Sequence, residues 1–424
     1  MITDALNVTA SDTNSIALVI DSLNAPYIAY QDTGNENRVS VSKYNGLCWE
    51  LVGDPGFSAG AATYISMALD LNNTPYVAYT DAANGGRATV MMYNGISWVT
   101  VGSPGFSAGT VGYTSIAIDS SGTPYVAFDG DGAFFKATVM KFDGLNWVTV
   151  GSPGFSAGNA LFTSIVLDSL GMPYVSYEDM PYGYRATVMK FNGVSWDVVG
   201  SPGFSISGVN YITMAIDSAD TPYVAYQDAG NGFKASVMKF NGVSWEYVGN
   251  PGFSSGEVFF TGIAIDLSDI PYIVYQDAGN QMRVTVMKFD GTNWVYVGIP
   301  GFSPTSSASD TTIALDGNNM PYIAYHDISG NVVVMKYTGA SWDTVGCPVS
   351  SQQQTIGGWV LRILAEEAWT MRCLRLFFCR TLQEISDGRC LSPEKKVYIA
   401  KELFSAAAQK ESALAEILEA VSKF

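Results

Sequence analysis

Histidine, positive charge and long apolar runs are scarce in this 424-residue chain. The single histidine, His326, excludes metal sites built from several histidines. Lys and Arg number 22 against 39 Asp and Glu, giving a formal net charge of −17. Because an acidic surface repels phosphate backbones, we expect no nucleic-acid partner. No uncharged apolar run reaches about 18 residues, so the sequence predicts no transmembrane segment.

Cysteines and nucleotide-binding motifs are also sparse. The five cysteines are odd in number and scattered, which argues against a disulfide framework or a metal site. The motif G-x-x-x-x-G-K-[ST] is absent, and no cofactor is predicted. The first twenty residues lack the basic start and apolar core of a signal peptide. The compartment stays open, although a low-Lys composition rich in Tyr, Asn, Ser and Gly slightly favours an extracellular or cell-surface protein.

What the chain does contain is a long internal repeat. VMKFNGVSWEYVGNPGFS at 237–254 returns with small changes at 188–205, 139–156 and 286–303. Pro-Tyr pairs recur every 49 residues, with a last step of 50, and one Trp follows each pair in phase. A period of about 40–50 residues with one Trp per unit is typical of propeller blades. The pairs begin at Pro26, Pro75, Pro124, Pro173, Pro222, Pro271 and Pro321.

Each unit contains four short apolar segments separated by turns. In the third unit these are TSIAIDS, PYVAF, KATVMKF and NWVTVG, and Asp143-Gly144 is a strong hairpin signal. A lone four-stranded sheet cannot bury two apolar faces, whereas blades stacked in a closed ring can. The sequence therefore predicts an all-β, seven-bladed β-propeller over residues 1–347, with the Trp side chains packed between blades.

The unit form PYVAYQD…ASVMKFNGVSWEYVG resembles kelch-like seven-bladed propellers, although Gln-Asp stands where kelch repeats carry a double glycine. The chain is also similar to bacterial seven-bladed lectins, with one Trp in each repeat. The kelch resemblance implies a protein-binding scaffold, and the lectin resemblance implies sugar binding between blades.

The ends of the repeat region bear on how the ring closes. Every unit begins and ends with the same strand, so we expect blade seven to meet blade one by face packing. Under a different blade boundary, residues 5–10 (ALNVTA) would add a closing strand.

Two sets of aspartates recur with the repeat. One follows the first strand of each unit, as at Asp119, and we interpret it as a turn residue that binds its own backbone. The other follows the second strand and opens a variable loop that usually ends in Arg or Lys; blade three departs from it with Asp129 and Asp131. The predicted ligand-binding residues are Asp32, Arg38, Asp81, Arg87, Asp179, Arg185, Asp228, Lys234, Asp277, Arg283 and Asp327.

This variable loop has two interpretations. A carboxylate, a cation and a nearby aromatic (Phe134, Tyr184 or Phe233) are groups that bind sugars, and loops on a rigid scaffold often carry binding sites. The alternative is an exposed Asp–Arg or Asp–Lys ion pair with little energetic value. His326 aligns with Gln31 of blade one, and we interpret it as a polar loop residue. No catalytic or metal-binding residue is predicted.

After residue 347 the repeat pattern ends. Residues 348–356 form a polar linker, and 357–424 have the apolar spacing of a helical hairpin whose second helix starts at Ser392-Pro393. This hairpin is expected to dock on the propeller, to self-associate, or to bind a partner or an anionic surface through its arginines. Translation in a shifted frame is an alternative, against which the clean helix cap weighs.

Three functions fit the sequence. The first is a non-enzymatic binding module that recognises carbohydrate at several repeated loops. The second is a protein–protein interaction scaffold of the kelch or WD type. The third is a glycoside hydrolase that uses acidic residues near the channel.

Overall fold

The computed structural model describes residues 6–7, 16–130 and 135–346. It confirms a seven-bladed β-propeller in which every blade has four antiparallel strands in chain order, to which blade seven adds a fifth. The chain divides into two units, Met1–Cys347 and Pro348–Phe424. The predicted linker and helical hairpin fall in the second unit, outside the described residues. Within the described ranges there is no helix with the length and hydropathy of a membrane span.

The first strand of each blade lines the centre of the ring, and together the seven enclose a cavity of about 250 Å³. The second strand is buried along nearly its whole length because it has a neighbouring blade on each face. The first strands are Ile16–Ile20, Ala62–Leu69, Val111–Ile118, Ala160–Leu167, Val209–Ile216, Val258–Ile265 and Ser309–Leu315. The second strands are Pro26–Asp32, Pro75–Asp81, Pro124–Gly130, Pro173–Asp179, Pro222–Asp228, Pro271–Asp277 and Pro321–His326.

The third and fourth strands form the outer part of each blade. The third strands are Arg38–Tyr44, Arg87–Tyr93, Ala137–Phe142, Arg185–Phe191, Lys234–Phe240, Arg283–Phe289 and Asn331–Tyr337. The fourth strands are Trp49–Leu51, Trp98–Thr100, Trp147–Thr149, Trp196–Val198, Trp245–Tyr247, Trp294–Tyr296 and Trp342–Thr344. Five blades have a 3₁₀ turn between their second and third strands, at Thr33–Asn35, Ala82–Asn84, Met180–Tyr182, Ala229–Asn231 and Ala278–Asn280.

The strand directions give the ring two distinct ends. The loop end carries these 3₁₀ turns and the starts of the first strands. The hairpin end carries the turns between first and second strands and the hairpins between third and fourth strands.

The tryptophans join neighbouring blades, as predicted. Trp98 of blade two donates from Nε1 to the backbone oxygen of Val52 in blade one at 2.6 Å, and its ring stacks on Phe57 at 4.1 Å. The hydrogen bond recurs at every junction, including the one between Trp49 and Val345 that closes the ring.

A short strand at the start of the chain completes blade seven. Leu6–Asn7 pairs antiparallel with Asn331–Val332 of the third strand. In the other blades the PGFS linker takes this place, for example through the bond from the Phe57 N–H to the Val39 oxygen. Blades seven and one meet by face packing, as expected. The alternative, a closing strand from residues 5–10, is present as well, because Leu6–Asn7 pairs with the third strand of blade seven.

One disulfide was not expected. Cys48, the cysteine among the described residues, is disulfide-bonded. A count of cysteines cannot reveal such a bond when the sequence separation is long and the total is odd.

Candidate functional site

The carboxylates predicted to bind ligand lie at the loop end, but they face into the fold. Asp81, Asp179, Asp228 and Asp277 are at most 1% exposed, and Asp32 is half-buried. In each case Oδ2 accepts a hydrogen bond of 2.6–2.8 Å from a hydroxyl of the third strand. The pairs are Asp32–Ser40, Asp81–Thr89, Asp179–Thr187, Asp228–Ser236 and Asp277–Thr285.

Blade two shows what these carboxylates hold together. Asp81 accepts from the Ala83 N–H at 3.0 Å and from the Asn84 side-chain amide at 2.8 Å, which fixes the 3₁₀ turn. The Thr89 hydroxyl that donates to Asp81 also accepts from the N–H of Gly105, in the next linker, at 2.9 Å. The carboxylate thus joins the turn, the third strand and the linker. Ligand binding by these aspartates stays a proposal.

The cations of the same loops lie opposite their aspartates in the backbone register. Asp81 pairs with Arg87 and Asp228 with Lys234, but no ion pair joins these side chains among the residues that the structure describes. The carboxylate has turned inward to a hydroxyl, which leaves the cation at the surface. Arg38 instead binds Glu36 at 2.8 Å. Among the other cations of these loops, Arg185 is exposed and Arg283 is half-buried.

Aromatic side chains accompany these cations in blades three to five. Tyr184 and Phe233 are 43% and 44% exposed and directly precede Arg185 and Lys234. Phe135, 56% exposed, occupies the equivalent position in blade three. Phe134, the residue predicted for this role, lies outside the described residues. The loop end therefore displays neighbouring aromatic–cation pairs.

Blade seven departs from the pattern. Asp327 accepts from the N–H groups of Ser329 and Asn331 at 2.8 and 2.9 Å, so it closes a tighter turn. The sequence predicted that His326 is a loop residue. Instead it is the fully buried last residue of the second strand. Its Nδ1 lies 3.1 Å from Oδ2 of Asp310. The prediction was wrong because the strand extends through the residue that aligns with Gln31.

The first set of aspartates forms the predicted turns at the hairpin end. Oδ1 of Asp119, for example, accepts from the N–H groups of Ser121 and Thr123, both at 2.9 Å. In blades one, four and seven the other oxygen binds a lysine of the third strand. These pairs are Asp21–Lys43, Asp168–Lys190 and Asp316–Lys336.

Concave sites lie between blades at this hairpin end. A cleft of about 620 Å³ separates blades four and five, and one of about 700 Å³ separates blades one and two. Both are lined on one side by a Tyr–Lys pair and an acidic residue, and on the other by a turn Asn or Asp, an aromatic pair and a hairpin Asn. The shared lining residues are Tyr174, Lys190, Asp197, Asp220, Tyr223, Phe240 and Asn241 in one, and Tyr27, Lys43, Glu50, Asn73, Tyr76, Tyr93 and Asn94 in the other.

The lysine of each cleft is held in a fixed position. Lys190 Nζ lies 2.9 Å from Asp168 and 4.6 Å from the centre of the Tyr174 ring. Burial alone would lower the pKa of Lys190, but its contacts with Tyr174 and Asp168 outweigh burial and raise it. The ammonium group is therefore charged at neutral pH and remains partly exposed to the cleft.

Sequence reasoning missed these clefts. The signal was present in the fixed interval between the Tyr of each Pro-Tyr pair and the Lys of VMKF, as from Tyr174 to Lys190. Neither residue drew attention, because a strand residue that recurs in most repeats is usually a packing residue and the variable loop was the more conspicuous feature.

A third feature lies where the central cavity opens at the loop end. The first strands of blades two to six each bulge at an aromatic residue with φ between 47° and 54°. The five rings form a continuous, half-buried arc in which neighbouring ring centres are 4.6–5.3 Å apart. The residues are Tyr64, Tyr113, Phe162, Tyr211 and Phe260.

Beside this arc, the sixth residue of each second strand occupies what we call the seam position. Gln31 and Gln227 donate from this position to backbone oxygens of the next blade, at 2.7 and 2.5 Å, and Thr80 does so at 3.1 Å. Blades three and four place Asp129 and Glu178 there. Burial raises the pKa of each of these two carboxyls to about 7. The seam positions are Gln31, Thr80, Asp129, Glu178, Gln227, Gln276 and His326.

The comparisons with known proteins support the fold but identify no family. The chain matches no protein-family model and no curated protein sequence. Among solved structures it is similar to the BP39L lectin from Burkholderia pseudomallei, with 13% identity and a TM-score of 0.56, over 78% of this chain and 99% of the lectin. It is also similar to an ulvan lyase of polysaccharide lyase family 25, with 14% identity and a TM-score of 0.54, over 81% of this chain and 95% of the lyase.

Proposed function

We propose that the propeller binds carbohydrate, without catalysis, in the clefts between neighbouring blades at the hairpin end. The observation that carries this proposal is the recurrence of one lining chemistry in two separate clefts of about 620 and 700 Å³. Concave sites of this size, with a few convergent polar groups, are typical of small-ligand sites.

The lining suits a polyhydroxylated ring. Phe240, which is half-buried, offers aromatic surface for the apolar face of a sugar. Asp220 accepts hydrogen bonds, Asn241 both donates and accepts, and the ammonium group of Lys190 donates. Because the lining is nearly copied between clefts, no blade presents a distinct catalytic set there, which favours binding over turnover.

Two further observations support a saccharide as the ligand class to test first. Two of the solved structures of similar fold are a lectin and a polysaccharide lyase. The disulfide at Cys48 suits a protein that works outside the reducing cytosol, where glycans are abundant. Weak sites repeated around a ring also gain strength through avidity on a multivalent glycan.

The loop end is the alternative surface for the same ligand class, should the clefts not be the site. There the aspartates position the turns, and the exposed groups available for contact are cations and aromatics such as Tyr184 with Arg185. Because the loop end and the hairpin end lie at opposite ends of the strands, single substitutions separate the two sites.

The test is a glycan-array screen of the full chain, followed by titration of any hit to obtain its stoichiometry. Lys190→Met copies the residue that blade two carries at this position, Met92, so the variant is expected to fold. It should lower the number of bound ligands per chain by about one. Lys234→Ala, at the loop end, is the matched control and should leave the stoichiometry unchanged.

The outcomes are distinct. A fall with Lys234→Ala but not with Lys190→Met would move the site to the loops. Absence of binding to any glycan would overturn the proposal and favour a protein-binding scaffold. Turnover of a bound glycoside or polysaccharide would contradict the non-enzymatic part.

A further inference from the structure

The aromatic arc and the two seam carboxyls come together around Tyr113 of blade three. The Tyr113 ring packs between Tyr64 and Phe162, at 4.8 and 4.6 Å. Burial raises the pKa of the Tyr113 phenol, and the charges of Tyr64, Asp129 and Glu178 raise it further. Both carboxyls therefore lie close enough to act electrostatically on the same phenol.

Blade three makes room for its carboxyl. Asp129 Oδ1 accepts from the Gly112 N–H at 2.7 Å. A Cβ atom on Gly112 would lie only 2.7 Å from that oxygen and 3.6 Å from Cε2 of Tyr64. Blades two and five carry Thr63 and Asn210 at the equivalent position. The glycine thus lets a carboxyl sit against the edge of the arc.

Neither carboxyl has a cationic partner among the described residues. Asp129 and Glu178 are 2% and 4% exposed, and no ion pair joins either to Lys or Arg among the described residues. Oε2 of Glu178 has no hydrogen-bond partner there either. Burying an unpaired carboxylate is costly, whereas Gln at this position in other blades donates across the seam.

We propose that this acidic mouth, formed by Tyr64, Tyr113, Asp129 and Glu178, binds a small organic cation such as a quaternary or protonated amine. Aromatic rings and carboxylates together form the environment that attracts such cations. Tyr113 also lines the central cavity, so the mouth borders that space. The mouth lies at the opposite end of the strands from the clefts, so it does not depend on the proposed carbohydrate function.

A bound cation favours the ionised carboxyls, so binding should release protons near neutral pH. The titratable groups that face the two acids are the phenols of Tyr64 and Tyr113, with Tyr211 next along the arc. Since no described Lys or Arg forms an ion pair with either acid, affinity should rise between pH 6 and pH 8.

The test uses choline and its uncharged carbon analogue, 3,3-dimethylbutan-1-ol, in calorimetric titrations of the full chain. Choline should bind more tightly than the analogue by on the order of tenfold. Titration in two buffers of different ionisation enthalpy should reveal the proton release.

Three variants decide whether the acidic mouth is the site. Glu178→Gln restores the residue of blades one, five and six, and Asp129→Asn keeps an oxygen for the Gly112 N–H, so both should fold. Each should weaken choline binding by on the order of tenfold. Glu257→Gln removes an exposed acid of the loop end and should change nothing.

Equal binding of choline and its analogue would overturn the proposal. So would choline binding that is unchanged in Glu178→Gln and Asp129→Asn, or no binding at about 50 mM choline and pH 8. Glycan binding in the clefts should be the same in all three variants, so failure of one proposal does not imply failure of the other.

Discussion

Six junctions between blades are made by consecutive blades, and the seventh joins blade seven back to blade one. At the junction of blades one and two, Trp98 donates to Val52, stacks on Phe57 and packs against Gly53. A Cβ atom on Gly53 would lie 2.9 Å from the Tyr93 ring and 3.0 Å from Trp98. This junction is close-packed, and its glycine has a left-handed φ of 74°.

The closing junction keeps the hydrogen bond and has an apolar core shared by blades seven and one, but among the described residues its tryptophan lacks the aromatic stack. Trp49 donates to Val345 at 2.8 Å, yet CPVSS replaces SPGFS and supplies no phenylalanine to stack on its ring. Gly346 is not left-handed, and a Cβ atom there would meet nothing nearer than 3.9 Å from Trp49. Trp49 is half-buried, whereas Trp98 is 8% exposed.

The difference separates two requirements of a closed ring. The backbone hydrogen bonds are complete at all seven junctions, because Leu6–Asn7 replaces the missing linker on the third strand of blade seven. The aromatic packing is complete at six. Closure therefore combines satisfied polar groups with the apolar core between blades seven and one, and the stack of Phe on Trp is what distinguishes the consecutive junctions.

The largest effect should come from the tryptophans. Trp98→Ala removes a stacked and nearly buried ring and should lower the free energy of unfolding by about 3–5 kcal/mol. Trp49→Ala should cost at least about 1 kcal/mol less, since no described aromatic stacks on that ring and it is partly exposed. Chemical denaturation of both variants measures the difference.

Equal losses for the two tryptophan variants would show that the closing junction contributes as much as a consecutive one. Trp294→Ala, at the junction of blades five and six, serves as a second consecutive junction and should behave like Trp98→Ala.

A smaller effect should separate the two glycines. Gly53→Ala forces a Cβ into the Tyr93 and Trp98 rings at a left-handed position and should destabilise by about 2–3 kcal/mol. Gly346→Ala meets open space and should stay within about 0.5 kcal/mol. Thermal unfolding of the pair is the measurement, and a loss in Gly346→Ala as large as that in Gly53→Ala would refute the looser packing.

Much of this architecture was predictable from the repeat alone. The intervals between Pro26, Pro75 and their counterparts gave the number of blades, and one unit showed four strands through alternation and the Asp-Gly hairpin. The packing of Trp98 between two blades was also predictable, since one large aromatic per blade must be buried between blades. What the repeat could not determine was the blade boundary, so Leu6–Asn7 remained an alternative.

The site was less predictable for a physical reason. Sequence shows which residues vary but not which way a side chain faces, so Asp81 and Asp228 were expected at a ligand and lie inside the loop. Lys190 was overlooked because its importance arises from a cleft between two blades, which no single unit contains. Glu178 escaped notice because a seam position exists only once neighbouring blades are side by side.

The smallest effect concerns the seam position of blade four, where a substitution should stabilise the protein, whereas most substitutions destabilise. Burial raises the pKa of Glu178 to about 7, above its unfolded value of 4.5. The folded state therefore holds a proton that the unfolded chain has released, so stability should be full below pH 4.5 and fall as the pH rises to 7. Glu178→Gln removes this loss and supplies the donor seen at Gln227, so it should stabilise by about 1–2 kcal/mol at pH 8 and much less at pH 4.

The reverse substitution, Gln227→Glu, gives blade five the seam residue of blade four and should destabilise at pH 8 more than at pH 4. Unfolding curves of both variants at the two pH values measure the effect. If Glu178→Gln were destabilising at pH 8, the carboxyl would be a required structural partner in blade four. A stabilising result would instead mean that blade four retains an unfavourable acid, which is the pattern expected where stability has been given up for a binding site.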